Sequence, residues 1–128
     1  DRVRFAGFLD REGTYDLLAR CAFTLIPSRW MDNAPMAGFE SLAFGKPVIA
    51  SALGGLRDQV EDGVCGFLVP PGDAAALSER SAMLAADPDL RARMGEAARL
   101  SADTRFSRAA HLDRLLGLFA AVRDGSAG

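Results

Sequence analysis

The sequence predicts an α/β fold in which a partial parallel sheet is flanked by helices. Short apolar runs bounded by Gly and Pro alternate with segments of helical periodicity, and this alternation is typical of parallel strands joined by crossover helices. The strands are predicted at Val3–Phe5, Phe23–Ile26, Pro47–Ala50 and Phe67–Val69. Three or four short strands make only half of a doubly wound domain, so we expect an open edge at the first strand.

Caps and breakers place the helices. The first is predicted over Tyr15–Arg20 with Thr14 as its N-cap, and the second over Pro35–Phe44, ended by a left-handed Gly45. Two further helices are predicted from Asp73, as N-cap, to about Ala86, and from about Pro88 to Ser101. A last helix, Ser107–Arg123, aligns six apolar residues on one stripe: Ala109, Leu112, Leu115, Leu116, Phe119 and Val122. The domain is assigned to residues 1–124, and residues 125–128 to a frayed tail.

Size and composition restrict the classes of function. The 128 residues suffice for one domain, but they are few for an enzyme with two substrate sites, so we expect a segment of a longer protein. The net charge of −2 argues against a nucleic-acid partner. No apolar run approaches the roughly 20 residues that cross a bilayer. Cys21 and Cys65 lack metal-ligand spacing and are expected to be reduced structural thiols.

Two carboxylates eight residues apart are the main candidates for chemistry. Asp32 is expected on the loop after a buried strand, and Glu40 one to two turns into the following helix. An ionised carboxylate can accept two hydroxyl hydrogen bonds, so the pair suits a polyhydroxylated ligand, and the free amides at the helix N-terminus suit an anion. Those amides belong to Asn33, Ala34, Met36 and Ala37. The alternative is that Asp32 is a helix cap and Glu40 a solvated helix residue.

The order of the motifs resembles the retaining nucleotide-sugar glycosyltransferases of family 4, which have the GT-B fold of two facing Rossmann-like domains. The resemblance is carried by Val3–Gly7, the Asp32 to Glu40 stretch, Gly54–Val60 and Gly63–Asp73. It identifies the chain as the second half of the GT-B C-terminal domain. One departure is that Asp32 stands where the family has Glu, which sets the carboxylate back by about 1.5 Å. The Gly-Arg and Lys-Gly elements that bring cations to the donor diphosphate are expected upstream of this chain.

The resemblance implies a role for each candidate residue. Asp32 and Glu40 become the catalytic pair, with Asp32 on the hydroxyls of the transferred sugar and Glu40 on those of the ribose. Gly54 and Gly55 would let a loop approach the donor, although a simple turn explains them equally well. The loop after the first strand, with Gly7, Phe8 and Leu9, would line the base pocket. The family uses no cofactor and no divalent metal, and no residue cluster here reads as a metal site.

The leading hypothesis is the donor-binding part of a hexosyltransferase that acts on a hydroxyl acceptor with retention, and that is inactive as an isolated chain. A non-catalytic nucleotide-sugar-binding module of the same fold is the alternative. An epimerase or phosphorylase of similar fold would need a His or a cofactor lysine that the chain does not supply. The expected partners are the nucleotide-sugar donor and a missing N-terminal acceptor domain. The expected location is the cytoplasm, with a peripheral membrane position or a lipid-linked acceptor left open.

Overall fold

A computed structural model describes residues 2–125 and shows a three-stranded parallel sheet flanked by helices. In chain order the elements are α1 (Arg11–Arg20), β1 (Thr24–Ile26), α2 (Met36–Ala43), β2 (Val48–Ser51), α3 (Leu56–Gln59), β3 (Gly66–Val69), α4 (Ala74–Ala86), α5 (Pro88–Thr104) and α6 (Arg108–Arg123). The α/β class and the parallel sheet with flanking helices are therefore confirmed.

The strands lie in the order β1-β2-β3, and β2 is the central strand. Leu25 is in register with Ile49, and Ile49 with Phe67. All four residues of β2 are buried, as a strand covered on both faces requires. Since the strands are parallel, the loops that follow Ile26, Ser51 and Val69 meet at one edge of the sheet, where ligands of open α/β folds bind.

Two apolar clusters cover the two faces of the sheet. On one face, residues of α2, α3 and α5 pack against β2: Leu42, Leu56 and Ala98 surround Val48 and Ala50. On the other face, residues of α4 and α5 pack against Ile49, Phe67 and Val69. The alternation of inward residues along β2 and β3 explains why each strand contributes to both clusters.

The strand predicted at Val3–Phe5 is wrong. These residues are irregular and exposed, and the Phe5 side chain is 94% accessible to solvent. A strand needs a neighbour for its backbone N–H and C=O groups, and no segment within residues 2–125 pairs with this one. The open edge was predicted at that strand; among the described strands, the edge lies instead at β1, which pairs with β2 alone.

Two helix starts also differ from the prediction. Asp10, not Thr14, caps α1, because its carboxylate accepts a 2.8 Å hydrogen bond from the Gly13 amide, while Thr14 lies within the helix. Pro35 is the N-cap of α2 rather than its first residue, since its ψ of 122° is extended. Gly45 has a φ of +64°, as predicted for the residue that ends α2.

The C-terminal helices begin as predicted, with side chains of Asp73, Asp87 and Ser107 capping α4, α5 and α6. The apolar stripe of α6 is not covered by the described part of the chain, and no residue of this helix is buried. None of the described helices is long and apolar enough to cross a bilayer. The predicted frayed tail lies, beyond Gly125, outside the described residues.

Candidate functional site

The candidate site is built from two loops that touch at the carboxyl edge of the sheet. One loop leaves β1 and carries Asp32 to the start of α2; we call residues 32–35 the acidic loop. The other leaves β2 and carries Gly54 and Gly55 to the start of α3. The Gly55 amide donates a 2.8 Å hydrogen bond to the Asp32 carbonyl, so the backbones of the two loops are in direct contact.

The glycine pair permits this contact. A Cβ on Gly54 would overlap the Asp32 carbonyl oxygen, and a Cβ on Gly55 would overlap the Asn33 carbonyl oxygen. Gly54 also has a φ of +48°, which favours glycine. The two glycines therefore serve the packing of the acidic loop, which the sequence analysis did not predict, and their contact with the donor stays a prediction.

Asp32 is exposed and is not the cap of α2. One carboxylate oxygen accepts a 3.2 Å hydrogen bond from the Ala34 amide, which lies before the helix, and the N-cap of α2 is Pro35. The turn closed by this bond fixes the direction of the side chain. The second carboxylate oxygen has no hydrogen-bond partner within residues 2–125 and can accept from a ligand.

Glu40 is the fifth residue of α2 and is half-buried. Its carboxylate has no hydrogen bond or ion pair to the part of the chain that the structure describes. A half-buried carboxylate without a partner retains the capacity to accept two hydroxyl hydrogen bonds. Asp32, on the loop, and Glu40, in α2, therefore both keep carboxylate oxygens that can accept hydrogen bonds from a ligand.

The N-terminus of α2 differs from those of the other long helices. Side chains cap α1, α4, α5 and α6, whereas Pro35 offers no side-chain hydrogen bond to α2. The amides of Met36 and Ala37 donate to no other described residue, and neither does that of Asn33; the Ala34 amide is occupied by Asp32. Free amides and the positive end of the helix dipole at one place favour an anion.

The segment predicted to line the base pocket is the irregular stretch before α1. Gly7 has a φ of +69°, Phe8 is 96% exposed, and Leu9 precedes the Asp10 cap of α1. No hydrogen bond joins Gly7, Phe8 or Leu9 to the acidic loop among the described residues. The structure therefore joins the acidic loop to the glycine pair by a hydrogen bond, with α2 following that loop, and shows no such bond to these three residues within residues 2–125.

Exposed apolar side chains flank the acidic loop. Trp30 is 70% exposed and Met31 75%, so neither side chain belongs to the core of the described residues. Arg29, on the same loop, lines a cavity of about 280 Å³ at the carboxyl edge, together with Ser51 and Asp73. Lys46 lies outside the site: its ammonium donates a 2.9 Å hydrogen bond to the Ala19 carbonyl in the last turn of α1, where a cation complements the helix dipole.

One residue that supports the site was not indicated by the sequence analysis. Gln59, the last residue of α3, is 1% exposed, and its side-chain amide donates a 3.2 Å hydrogen bond to the Pro35 carbonyl. The sequence did carry one signal for this role. Gln59 is a polar residue next to the apolar Val60, and the helical periodicity turns its position inward.

The thiols take no part in the site, and each is free. Burial raises the pKa of the Cys65 thiol, whose sulfur accepts a hydrogen bond from the Glu61 amide at 3.2 Å, and burial also raises the pKa of Cys21. Within the described range, no three His, Cys, Asp or Glu side chains lie close enough together to hold a metal ion.

Comparison with known proteins shows which family this chain resembles. The family model of glycosyl transferases group 1 matches residues 1–101. A D-inositol 3-phosphate glycosyltransferase of Kribbella flavida is 36% identical over 98 residues, which cover 77% of this chain and 23% of that protein.

Solved structures agree with the family match. Sucrose-phosphate synthase of Thermosynechococcus elongatus superposes with a TM-score of 0.83 at 31% identity, over 98% of this chain and 31% of that one. Anabaena HepE in complex with UDP and glucose superposes with a TM-score of 0.82 at 27% identity, over 94% of this chain and 32% of that one. The chain thus spans less than a third of the length of each of these relatives.

Proposed function

The chain belongs to the family of glycosyl transferases group 1, and on that premise we propose that it is the donor-binding part of a larger enzyme. The enzyme transfers a hexose from a nucleoside diphosphate sugar to a hydroxyl acceptor with retention of anomeric configuration. One observation carries the proposal: the uncapped N-terminus of α2, with free amides at Met36 and Ala37, is flanked along the chain by the carboxylates of Asp32 and Glu40, which keep free oxygens.

Each part of the donor has a matching group in this arrangement. The diphosphate accepts hydrogen bonds from the α2 amides and is stabilised by the helix dipole. The Glu40 carboxylate accepts from the ribose 2′ and 3′ hydroxyls, and the free oxygen of Asp32 accepts from hydroxyls of the hexose. Each such charge-assisted bond is worth roughly 1.5 to 3 kcal/mol, so the carboxylates contribute strongly to affinity. HepE, a structural neighbour, has been determined with UDP-glucose.

In this reaction the main task of the domain is to stabilise the leaving group, and it does not supply a general base. As the bond between the anomeric carbon and the diphosphate breaks, negative charge grows on the phosphate oxygens next to the α2 amides. The acceptor oxygen then bonds to the anomeric carbon on the same face, and its proton passes to the departing diphosphate. No metal or other cofactor is part of this scheme.

We assign the remaining functions to parts of the protein outside residues 1–128. The chain matches less than a third of the length of each relative described above. The outer edge of β1 is unpaired among the described strands. A preceding half-domain would complete the sheet and bring cations to the diphosphate, and an N-terminal domain would bind the acceptor. The isolated chain is accordingly inactive.

Isothermal titration of the full-length protein tests the proposal. UDP-glucose, UDP-N-acetylglucosamine and GDP-mannose are titrated in turn, and at least one is expected to bind. Glu40→Ala should raise the Kd of that donor by about tenfold or more, because the variant loses charge-assisted hydrogen bonds to it. The control is Glu79→Ala, an exposed glutamate on α4 across the sheet, which should change nothing. If Glu40→Ala binds the donor like the wild type, the proposed site is wrong.

A non-catalytic binding module is the second candidate, and the Asp32 hydrogen bond to the Ala34 amide favours it, because part of the accepting capacity of the carboxylate serves its own loop. Transfer from the bound donor separates the two functions. A transferase forms a glycoside whose anomeric coupling in the proton NMR spectrum matches that of the donor, and Glu40→Ala abolishes its formation. A binding module binds the donor but forms no product with any hydroxyl acceptor.

A further inference from the structure

Gln59 joins α3 to the acidic loop through a buried hydrogen bond. Its side chain is 1% exposed, and Nε2 donates to the Pro35 carbonyl at 3.2 Å, across 24 positions of sequence. Pro35 is the N-cap of α2 and stands between Asp32 and the free amides of Met36 and Ala37. The bond therefore reaches the point from which both the loop and the helix start.

Gly38 provides the space for this carboxamide. It is the third residue of α2 and is buried, and a Cβ on it would overlap the Gln59 Oε1 atom. Any other residue at 38 would push the Gln59 side chain away from Pro35. The contact thus depends on two residues at once, the glutamine that reaches across and the glycine that lets it pass.

Stability alone does not account for Gln59. Its Oε1 atom is buried without a hydrogen-bond donor in the described part of the chain, and such an atom lowers stability. An apolar side chain of the same length would fill the space without that loss. Pro35 does not need Gln59 to satisfy its carbonyl either, because the Gly38 amide also donates to it, at 3.1 Å.

The base from which Gln59 extends is held firmly. Leu56, the first residue of α3, and Val60, its C-cap, are each 1% exposed within the apolar cluster of this face. Arg105, at the end of α5, donates a 2.8 Å hydrogen bond to the Asp58 carbonyl. Because α3 is fixed to the core, the carboxamide of Gln59 can fix Pro35.

We infer that Gln59 is a positioning residue for donor binding: its carboxamide, admitted by Gly38, holds the N-cap of α2 so that Asp32 and the helix amides keep their relative positions. This inference rests on the proposed function. It adds a lateral support to the acidic loop, beside the hydrogen bonds from the Gly55 amide to the Asp32 carbonyl and from the Gly38 amide to the Pro35 carbonyl.

Gln59→Met in the full-length protein tests the inference, with the donor found by the titration above and with UDP alone. Methionine keeps the length of the side chain. It removes both the Nε2 group that donates to Pro35 and the Oε1 atom that has no hydrogen-bond donor. We expect an unchanged or raised Tm, a Kd for UDP weaker by about 3- to 10-fold, the size of one lost hydrogen bond, and faster exchange of the Gly38 and Gly55 amides, which donate to the Pro35 and Asp32 carbonyls. The control is Leu56→Met, a volume-conserving change beside Gly38 without a bond to Pro35, which should lower Tm slightly and leave the Kd and the amide exchange unchanged.

The inference is overturned if Gln59→Met binds UDP like the wild type, or if affinity and Tm fall together, which indicates a packing role only. A second pair of variants covers a failure of Gln59→Met to fold. Gly38→Ala should lower both Tm and affinity, and adding Gln59→Ala should restore Tm but not affinity; recovery of both contradicts the inference.

The amide exchange separates this inference from the proposed function, because it needs no ligand. If the wild type binds none of the three nucleotide sugars, the proposed function fails, and the catalytic relevance of Gln59 fails with it. If the donor binds but exchange of the Gly38 and Gly55 amides is the same in Gln59→Met and the wild type, only the positioning role fails.

Discussion

The Gly55 amide and the Asp32 carbonyl are joined by a 2.8 Å hydrogen bond, which fixes the loop after β2 against the loop after β1. The bond connects two segments that are separated along the chain by the whole of α2 and β2. Since Asp32 is exposed and carries a candidate ligand-binding carboxylate, the geometry of that carboxylate depends on a glycine with no side chain of its own.

Gly55→Ala should weaken donor binding through this contact. The backbone of Gly55 is helical, with φ of −65°, so alanine strains nothing locally, but its Cβ would overlap the Asn33 carbonyl oxygen. We expect a loss of about 1 to 3 kcal/mol in stability, as in overpacked sites, together with a weaker donor Kd. Thermal unfolding and titration calorimetry measure the two effects.

Gly63→Ala is the matched control for that variant. Gly63 has a φ of +77° and open space around its Cβ position, so alanine there is strained but displaces nothing. It should lower stability by about 1 kcal/mol and leave the donor Kd unchanged. Equal effects of the two variants on the donor Kd would show that lost stability, and not the position of the acidic loop, governs binding.

The elements that the sequence predicted well are those with strong local signals. Asp73 and Ser107 cap the helices predicted to follow them, and Gly45 takes the positive φ expected at a helix end. The strands around Ile49 and Phe67 were found because apolar runs between breakers are typical of buried parallel strands.

The features that sequence reasoning missed are those set by distant contacts. Val3–Phe5 has strand composition, but a strand forms only where another segment can pair with it. The contact of Gly55 with Asn33 and the bond of Gln59 to Pro35 join residues more than 20 positions apart. Local propensity carries no information about such pairs, so the candidate carboxylates could be predicted but their supports could not.

Asp32 and Glu40 should be distinguishable by the ligand that each one holds. Asp32→Asn retains a side-chain oxygen for the Ala34 amide and so preserves the turn, but it removes the charge that faces the sugar. We expect Asp32→Asn to raise the Kd of the nucleotide sugar by about tenfold and to leave the Kd of UDP unchanged. Glu40→Ala should weaken both ligands, because the ribose is common to them. Calorimetry with each ligand decides, and equal losses for Asp32→Asn would contradict a sugar-specific role.

Gly95→Ala should destabilise the packing of α5 on α2. A Cβ at Gly95 would lie 2.6 Å from the Gly45 carbonyl oxygen, which cannot move without breaking the end of α2. Overpacking of this kind costs about 1 to 3 kcal/mol, measurable by urea unfolding. The control is Gly117→Ala on α6, where a Cβ meets nothing and helix propensity predicts a gain of roughly 0.5 to 1 kcal/mol. A destabilisation at 117 equal to that at 95 would contradict the contact.

Cys65 should make the stability of the protein fall in alkaline solution. Burial raises the pKa of its thiol above the ordinary value of 9.0, so the folded chain keeps the proton at a pH where the unfolded chain has lost it. Below pH 9.0 the thiol is protonated in both states and contributes nothing to the pH dependence. Above that pH the thiolate favours the unfolded state, and the stability is lost progressively as the pH approaches the folded pKa.

Urea unfolding of the wild type and of Cys65→Ala at about pH 8 and about pH 10 measures this effect. The alanine variant is less stable at the lower pH, because it loses a buried sulfur that accepts from the Glu61 amide. Its further loss on going to the higher pH should nevertheless be smaller than that of the wild type. Identical losses in the two proteins would mean that the thiolate of Cys65 is accommodated in the fold, which its burial among Val48, Leu56 and Val60 opposes.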